Sequence, residues 1–321
     1  MKFLVTGVAG FIGSFVAKRL IDEGYDVIGI DNLNEYYDVS LKLHRLSTFD
    51  KKSNFRFFQY DLADRNAIAD LFNKEKFDRV IHLGAQAGVR YSILNPFSYV
   101  DSNLIGMMTI LDGCRNNNVE HLVYASSSSV YGANEKIPFS ETDQVDHPVS
   151  LYAATKKANE LMAHSYSKIF GLPTTGLRFF TVYGPCGRPD MAPWLFVDSV
   201  LNKKPIKIFN NGKMSRDFTY IDDVVEGIIR VQNFVPRSSV PYEIFNIGNN
   251  NPVDLMDFIR EIEIACGFSS EKIMMDMQPG DVEKTYADVS KLEKTIGYKP
   301  KIGIKEGVKN FVEWFREFKG I

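Results

Sequence analysis

An apolar run, Lys2-Phe3-Leu4-Val5-Thr6, leads directly into Gly7-Val8-Ala9-Gly10-Phe11-Ile12-Gly13 and then into a helical pattern reaching Glu23. A buried strand that breaks at glycines and restarts as a helix aims backbone N–H groups at one spot. There the helix start favours negative charge, and the small residues let a pyrophosphate come close. The spacing is Gly-x-x-Gly-x-x-Gly, not the commoner Gly-x-Gly-x-x-Gly.

The same alternation continues along the first half of the chain. Strand-like runs are expected at Tyr25 to Ile30, Phe55 to Tyr60, Arg79 to Leu83, His121 to Ala125 and Thr174 to Phe179. Helical patterns fall between them at Asp64 to Phe72, Pro96 to Asn116 and Tyr152 to Phe170. This βαβ rhythm predicts an α/β fold, a doubly wound parallel Rossmann sheet between helices. The second half is more mixed. Helices are expected at Trp194 to Asn202, Asp222 to Gln232, Asp254 to Ala265 and Lys305 to Phe318, with strands at Phe218 to Tyr220 and Tyr242 to Ile247. The expected division is a Rossmann domain over 1–180, with a returning segment near 217–248, and a smaller mixed α/β lobe over 181–321.

Bulk composition excludes several classes. The net charge of -2 gives no electrostatic footprint for nucleic acid or an anionic membrane, and no apolar run approaches a membrane span. The first strand begins at Lys2, leaving no room for a signal peptide. Three distant cysteines suggest a reducing, cytoplasmic setting, and five scattered histidines give no metal-ligand spacing, so no metal is expected.

Strand ends then nominate a cofactor site. Gly7, Gly10, Phe11, Ile12 and Gly13 form the phosphate turn. Asp31, with Asn32, ends the second strand about 20 residues on, where a carboxylate suits ribose hydroxyls and repels the extra phosphate of NADP. NAD is therefore the expected cofactor. Asp61 and Leu62 end the third strand near an adenine position, and Leu83 and Ala85 end the fourth.

The chemistry is expected at the fifth strand's end. Ser126-Ser127-Ser128-Ser129 places four hydroxyls in a row where burial demands partners. Tyr152 and Lys156 follow, one helical turn apart on one face. A fixed ammonium favours the phenolate, so Tyr152 is expected to exchange a proton near neutral pH.

The ordered set Gly7, Gly10, Gly13, Asp31, Ser127, Tyr152 and Lys156 resembles the extended short-chain dehydrogenase/reductase superfamily. Longer strings narrow the likeness: Asp31 to Lys42, Gln86 to Ser92, Arg178 to Met191 and Arg216 to Asp223. They resemble the nucleotide-sugar epimerases, most closely the UDP-glucuronate 4-epimerases, over nearly the whole chain. Cys186 departs from this pattern, in which Trp is expected.

The resemblance implies reversible oxidation at C4 of UDP-glucuronate. Tyr152 removes the hydroxyl proton, Ser127 orients it, and Lys156 also bonds the nicotinamide ribose of a tightly held NAD. A 4-keto sugar turns over, takes its hydride back and becomes UDP-galacturonate. Such a keto acid loses carbon dioxide readily, so its carboxylate must be held; Ser128, Ser129, Thr181 and Arg188 are the implied holders. Arg216 and Arg90 are candidate diphosphate partners, arginine's planar fork suiting phosphate. Gln278-Pro279-Gly280-Asp281 stands where galactose-type epimerases carry an Arg, and Gln278 and Asp281 are expected at the substrate. Asn103 is expected near the cofactor. Related dimers suggest a homodimer through the helices at 96–116 and 153–170. The alternatives are a UDP-glucuronate decarboxylase, a UDP-galactose-type 4-epimerase and, in a different class, a non-catalytic NAD sensor. A 4,6-dehydratase would want an acid beside the serines, where Ser128 and Ser129 offer none.

Overall fold

In the computed structural model, which describes residues 1–278 and 280–321, seven strands form one central sheet. In chain order they are β1 (Lys2–Thr6), β2 (Asp26–Asp31), β3 (Phe55–Gln59), β4 (Arg79–His82), β5 (His121–Ser127), β6 (Thr174–Phe179) and β7 (Tyr242–Ile247). They lie side by side as β7-β6-β5-β4-β1-β2-β3, and every neighbouring pair is parallel. The α/β doubly wound parallel fold is as expected.

A parallel sheet covered on both faces must be apolar on both. Phe3 and Val5 of β1 enter one core with Ile81 and Val123, while Leu4 enters the other with Val80 and Leu122. The strand order reverses beside β1, so the loops after β1 and β4 part and open a crevice at the strands' carboxyl ends.

Two local differences from expectation matter to the site. The helical run from 96 to 116 is divided: Pro96–Tyr99, then a π-helical turn at Val100–Ile105, then Gly106–Asn116. The π turn rotates Asn103 inward, and its carbonyl accepts from Asn159 Nδ2 at 2.7 Å. The second difference is a helix at Val39–Ser47, capped by Asp38 accepting from Ser40 N. Its inner face carries Lys42 and Arg45 beside Leu41 and Leu46, so no apolar stripe announces it.

Tyr242–Ile247 returns to the main sheet beside β6. The remaining second-half elements are short strands and the helices Ala192–Leu201, Ile221–Asn233, Leu255–Cys266, Ser290–Ile296 and Ile304–Lys319. Aromatic contacts join them, including Trp194 on Phe315 at 4.8 Å and Phe218 stacked on Phe258 at 4.0 Å. The strand Thr181–Tyr183 pairs in parallel with Phe218–Tyr220 and continues from the end of β6. Among the described residues, no helix is long and apolar enough to cross a membrane, and no acid, histidine or cysteine cluster fits a metal ion. The three cysteines are buried and unpaired.

Candidate active site

The glycine turn works through steric exclusion. Gly7 has a φ of +67°, and a Cβ there would lie 2.7 Å from Gly84 Cα. A Cβ on Gly13 would lie 2.1 Å from the Gly7 carbonyl oxygen. Beneath the turn, Thr6 Oγ1 accepts from Gly84 N at 2.9 Å and bonds His82 Nδ1 at 2.8 Å. Burial holds His82 down at about 3, so it stays neutral under the cleft.

Asp31 closes the β2 end of the cleft. Its carboxylate accepts from Ala9 N at 3.2 Å and Leu33 N at 2.9 Å. Burial raises its pKa, opposed by those bonds and by the nearby cations Lys42 and Arg45. Asn32 Nδ2 donates to Asp61 at 2.8 Å. Gly7, Gly10, Phe11, Ile12, Gly13, Asp31, Asn32, Asp61, Leu62, Leu83 and Ala85 line a cleft of about 350 Å³. Ser127, Ser128, Ser129, Tyr152, Lys156, Thr181 and Arg188 line the same cleft. A glycine cradle that any side chain would fill, with a carboxylate at the end of the second strand, fits a dinucleotide.

Ser150 starts the long helix Leu151–Phe170, accepting from Ala153 N at 3.1 Å. Tyr152 therefore sits in the first turn, where the helix dipole favours negative charge. Its ring meets Tyr99 edge-on at 6.1 Å. One turn on, Lys156 is buried and donates to the Ala125 carbonyl at 2.9 Å. Ser127 ends β5, and its oxygen accepts from Ser129 N at 3.1 Å, which starts the short helical turn Ser128–Tyr131. The Ser127 proton is thereby left to donate into the cleft.

The electrostatics differ from expectation. Burial pushes the Tyr152 phenol above its ordinary value; Ser127 and then Arg188 pull it back. Burial lowers the Lys156 ammonium to about 8. Thus the cation easing Tyr152 in the protein alone is Arg188, while Lys156 is held by a backbone carbonyl.

Arg188 is no solvated loop charge. Its Nε donates to Asp190 Oδ1 at 3.0 Å, its Nη2 donates to the other carboxylate oxygen, and Tyr36 donates to that same oxygen at 3.1 Å. Gly88 leaves room for them: a Cβ there would lie 3.1 Å from the Tyr36 hydroxyl. Tyr36 and Asp190 were missed as site residues. Both stand in the strings carrying the resemblance, but neither has a periodicity that points inward.

Four expected substrate residues lie apart from the cleft lining. Arg90 Nη2 pairs with Asp281 at 3.2 Å at an exposed position. Arg216 donates to three backbone carbonyls, Ser215, Glu283 and Val282, and bonds no carboxylate among the described residues. Burial lowers its pKa, Asp281 opposes that, and Arg90 adds to it, so the three charges are close. Gln278 is half-buried, its Oε1 without a hydrogen-bond partner among the described residues. Pro279 lies outside them. Asn103 is not a cleft residue either. Its Oδ1 accepts from Gln86 N at 2.8 Å, and its Nδ2 donates to Gln86 O and to Thr155, both at 3.0 Å. With its side chain so bonded, it fixes the loop after β4 to the Tyr152 helix.

This sheet order, the glycine turn and the Ser127–Tyr152–Lys156 grouping define a short-chain dehydrogenase/reductase. Comparison with known proteins narrows the class. The family model described as GDP-mannose 4,6 dehydratase matches residues 4–311. A probable UDP-glucuronate 4-epimerase of Rhizobium meliloti is 48% identical, over 98% of this chain and 97% of its own. The crystal structure of a Bacillus cereus UDP-glucuronic acid 4-epimerase with UDP-glucuronic acid and NAD superposes with a TM-score of 0.92 at 34% identity, covering 99% of this chain and 100% of that one. A Thermotoga maritima UDP-glucose 4-epimerase with UDP-glucose gives 0.90 at 30% identity, covering 99% and 100%. The chain belongs to this nucleotide-sugar family of extended short-chain dehydrogenases/reductases.

Proposed function

We propose that the protein interconverts UDP-glucuronate and UDP-galacturonate by inverting C4 through a transient 4-keto sugar. The observation that carries this reading is the convergence, in one dinucleotide-shaped cleft, of Tyr152 and Ser127 with the hydroxyls of Ser128, Ser129 and Thr181 and the guanidinium of Arg188. NAD, when bound, supplies a reversible hydride acceptor and a positive ring charge that favours the Tyr152 phenolate.

Tyr152 takes the proton of the sugar 4-hydroxyl and later returns it. Ser127 donates to that oxygen and holds it beside the phenol. Lys156, fixed by Ala125, reaches the nicotinamide ribose. Ser128, Ser129 and Thr181 donate to the sugar carboxylate, keeping its bond to C5 out of line with the C4 carbonyl. Arg188 stabilises that carboxylate's charge. Gly7, Gly10 and Gly13 hold the pyrophosphate, Asp31 the adenosine ribose, and Asp61 and Leu62 the adenine. Arg216 and Arg90 face the UDP diphosphate, with Gln278 and Asp281 beside them. Residues 1–180, with the segment 217–248, form the cofactor domain, and 181–321 the UDP-sugar lobe.

The elimination of water by a dehydratase needs an acid beside the reacting sugar. The acids lining the cleft among the described residues are Asp31 and Asp61, at the ends of β2 and β3 rather than beside Ser127. That supports epimerisation over dehydration. A homodimer through the helical runs at 96–116 and 151–170 suits the exposed Phe97, 77% accessible, and the exposed Met108 and Leu161. Buried unpaired cysteines suit the cytoplasm.

Proton NMR of purified protein with UDP-glucuronate, and no added NAD, tests the reading. UDP-galacturonate is the expected product. UDP-xylose with carbon dioxide would make the protein a decarboxylase, and no change in any UDP-sugar would favour a cofactor sensor.

A further inference from the structure

Arg45 is buried, 1% accessible, and has no carboxylate partner among the described residues. A guanidinium has five N–H donors, and a buried one left unsatisfied is costly. Here every donor is used. Nε donates to the Cys186 carbonyl at 3.1 Å, and Nη2 donates to Cys186 O at 2.7 Å and Gly187 O at 3.2 Å. Nη1 donates to Ala9 O at 3.0 Å and to the Tyr37 hydroxyl at 2.6 Å. One side chain thus joins the glycine turn, the segment after β2 and the loop that carries Arg188.

The residue before Tyr37 makes a second joint between the same segments. Tyr36 donates to Asp190, which holds Arg188. Tyr36, Tyr37 and Arg188 all line the cleft. The two joints therefore form a seam along one wall, from Ala9 in the phosphate turn toward Tyr152, whose phenol feels the Arg188 charge. Cys186 supports a fixed seam. Its φ of +57° lies in the left-handed region that non-glycine residues avoid, and Arg45 holds its carbonyl with two bonds. Such a conformation persists only where its surroundings over-determine it.

We propose that the Tyr36–Asp190 and Tyr37–Arg45 joints are a clasp that retains the dinucleotide and links its release to substrate binding. The clasp rests on the NAD reading above. A dinucleotide lying along this wall leaves only when segment 33–38 and loop 184–191 part. A sugar nucleotide bound beside Arg188 holds the loop in place and so slows that parting. Linkage is reciprocal, so bound dinucleotide also tightens sugar-nucleotide binding.

The test is a Tyr36→Phe/Tyr37→Phe double variant, which keeps both rings and removes only the two hydroxyls. NAD content after gel filtration and the rate of NAD release into an excess chase are measured on both proteins, with and without UDP-glucuronate. Thermal melting of each checks the fold. Losing these two partly buried hydrogen bonds is expected to speed NAD release about tenfold or more. The slowing by UDP-glucuronate, clear in the wild type, is expected to shrink in the variant. Equal release rates with an undiminished substrate effect would overturn the clasp while leaving the NAD reading intact. A wild type that neither carries nor takes up NAD would overturn both.

Discussion

Lys156 donates its ammonium to the Ala125 carbonyl at 2.9 Å, from a side chain that is 3% accessible. This bond ties the Tyr152 helix to the end of β5, and it keeps a cation where burial disfavours one. In the folded protein the ammonium titrates near 8, against 10.5 when unfolded. Between those values the unfolded chain binds more protons, so this group's burden lifts as pH rises from about 8 to 10.5 and is fully present below 8. Lys156→Met in NAD-free protein is expected to be more stable than wild type at pH 7 by about 2–3 kcal/mol. That advantage should fade toward pH 10, and denaturant titrations at pH 7, 8.5 and 10 check it. Buried tyrosines and cysteines titrate alike in both proteins and cancel in the difference.

Tyr152→Phe removes one oxygen from a ring still packed on Tyr99. The variant should fold and hold NAD as wild type does. Losing the proton-transfer group should cut kcat about 10²–10⁴-fold. Near-normal turnover would remove Tyr152 as the base.

Gly7→Ala places a methyl 2.7 Å from Gly84 backbone atoms at a positive φ. Backbone must move, and the glycine turn opens. The expected result is loss of NAD from the purified protein and a destabilisation of about 1–3 kcal/mol. Absorbance of bound cofactor and a melting curve measure the two effects.

Glu160 lies one turn beyond Lys156 and accepts from Ser126 at 2.6 Å and from Arg178 Nε and Nη2 at 2.8 and 2.9 Å. Both partners of this ion pair are nearly inaccessible, and Arg178 Nη1 has no hydrogen-bond partner among the described residues. Glu160→Gln should cost about 3–5 kcal/mol by leaving a buried cation unpaired. The apolar double replacement Glu160→Met/Arg178→Met should recover much of that stability. Its kcat should stay low, since nothing then anchors Ser126 beside Ser127. Full activity in the double variant would contradict the anchoring role.

The parallel sheet was legible because each strand is an apolar run between helical patterns, and β1, β6 and β7 have the bounds expected for them. The cleft lining from Gly7 to Ala85 followed from a topological rule: ligands gather where strands end. What escaped were features set by tertiary partners. The π turn at Val100–Ile105 is invisible to periodicity because its reason is Asn103 reaching Gln86 and Thr155. The helix at Val39–Ser47 hid because its inner face includes a lysine and an arginine. Arg188 could be nominated from its string, but its partners Asp190 and Tyr36 meet only in three dimensions. The Tyr152 environment is hidden for the same reason: sequence gives the spacing to Lys156, not the burial that raises the phenol.

The central claim is that C4 is oxidised and then reduced with its own hydrogen. UDP-glucuronate carrying deuterium at C4 should give UDP-galacturonate with that deuterium still at C4, and unlabelled substrate in heavy water should give product with no solvent deuterium there. Loss of the C4 label to solvent, or a decarboxylated pentose as the main product, would contradict the account.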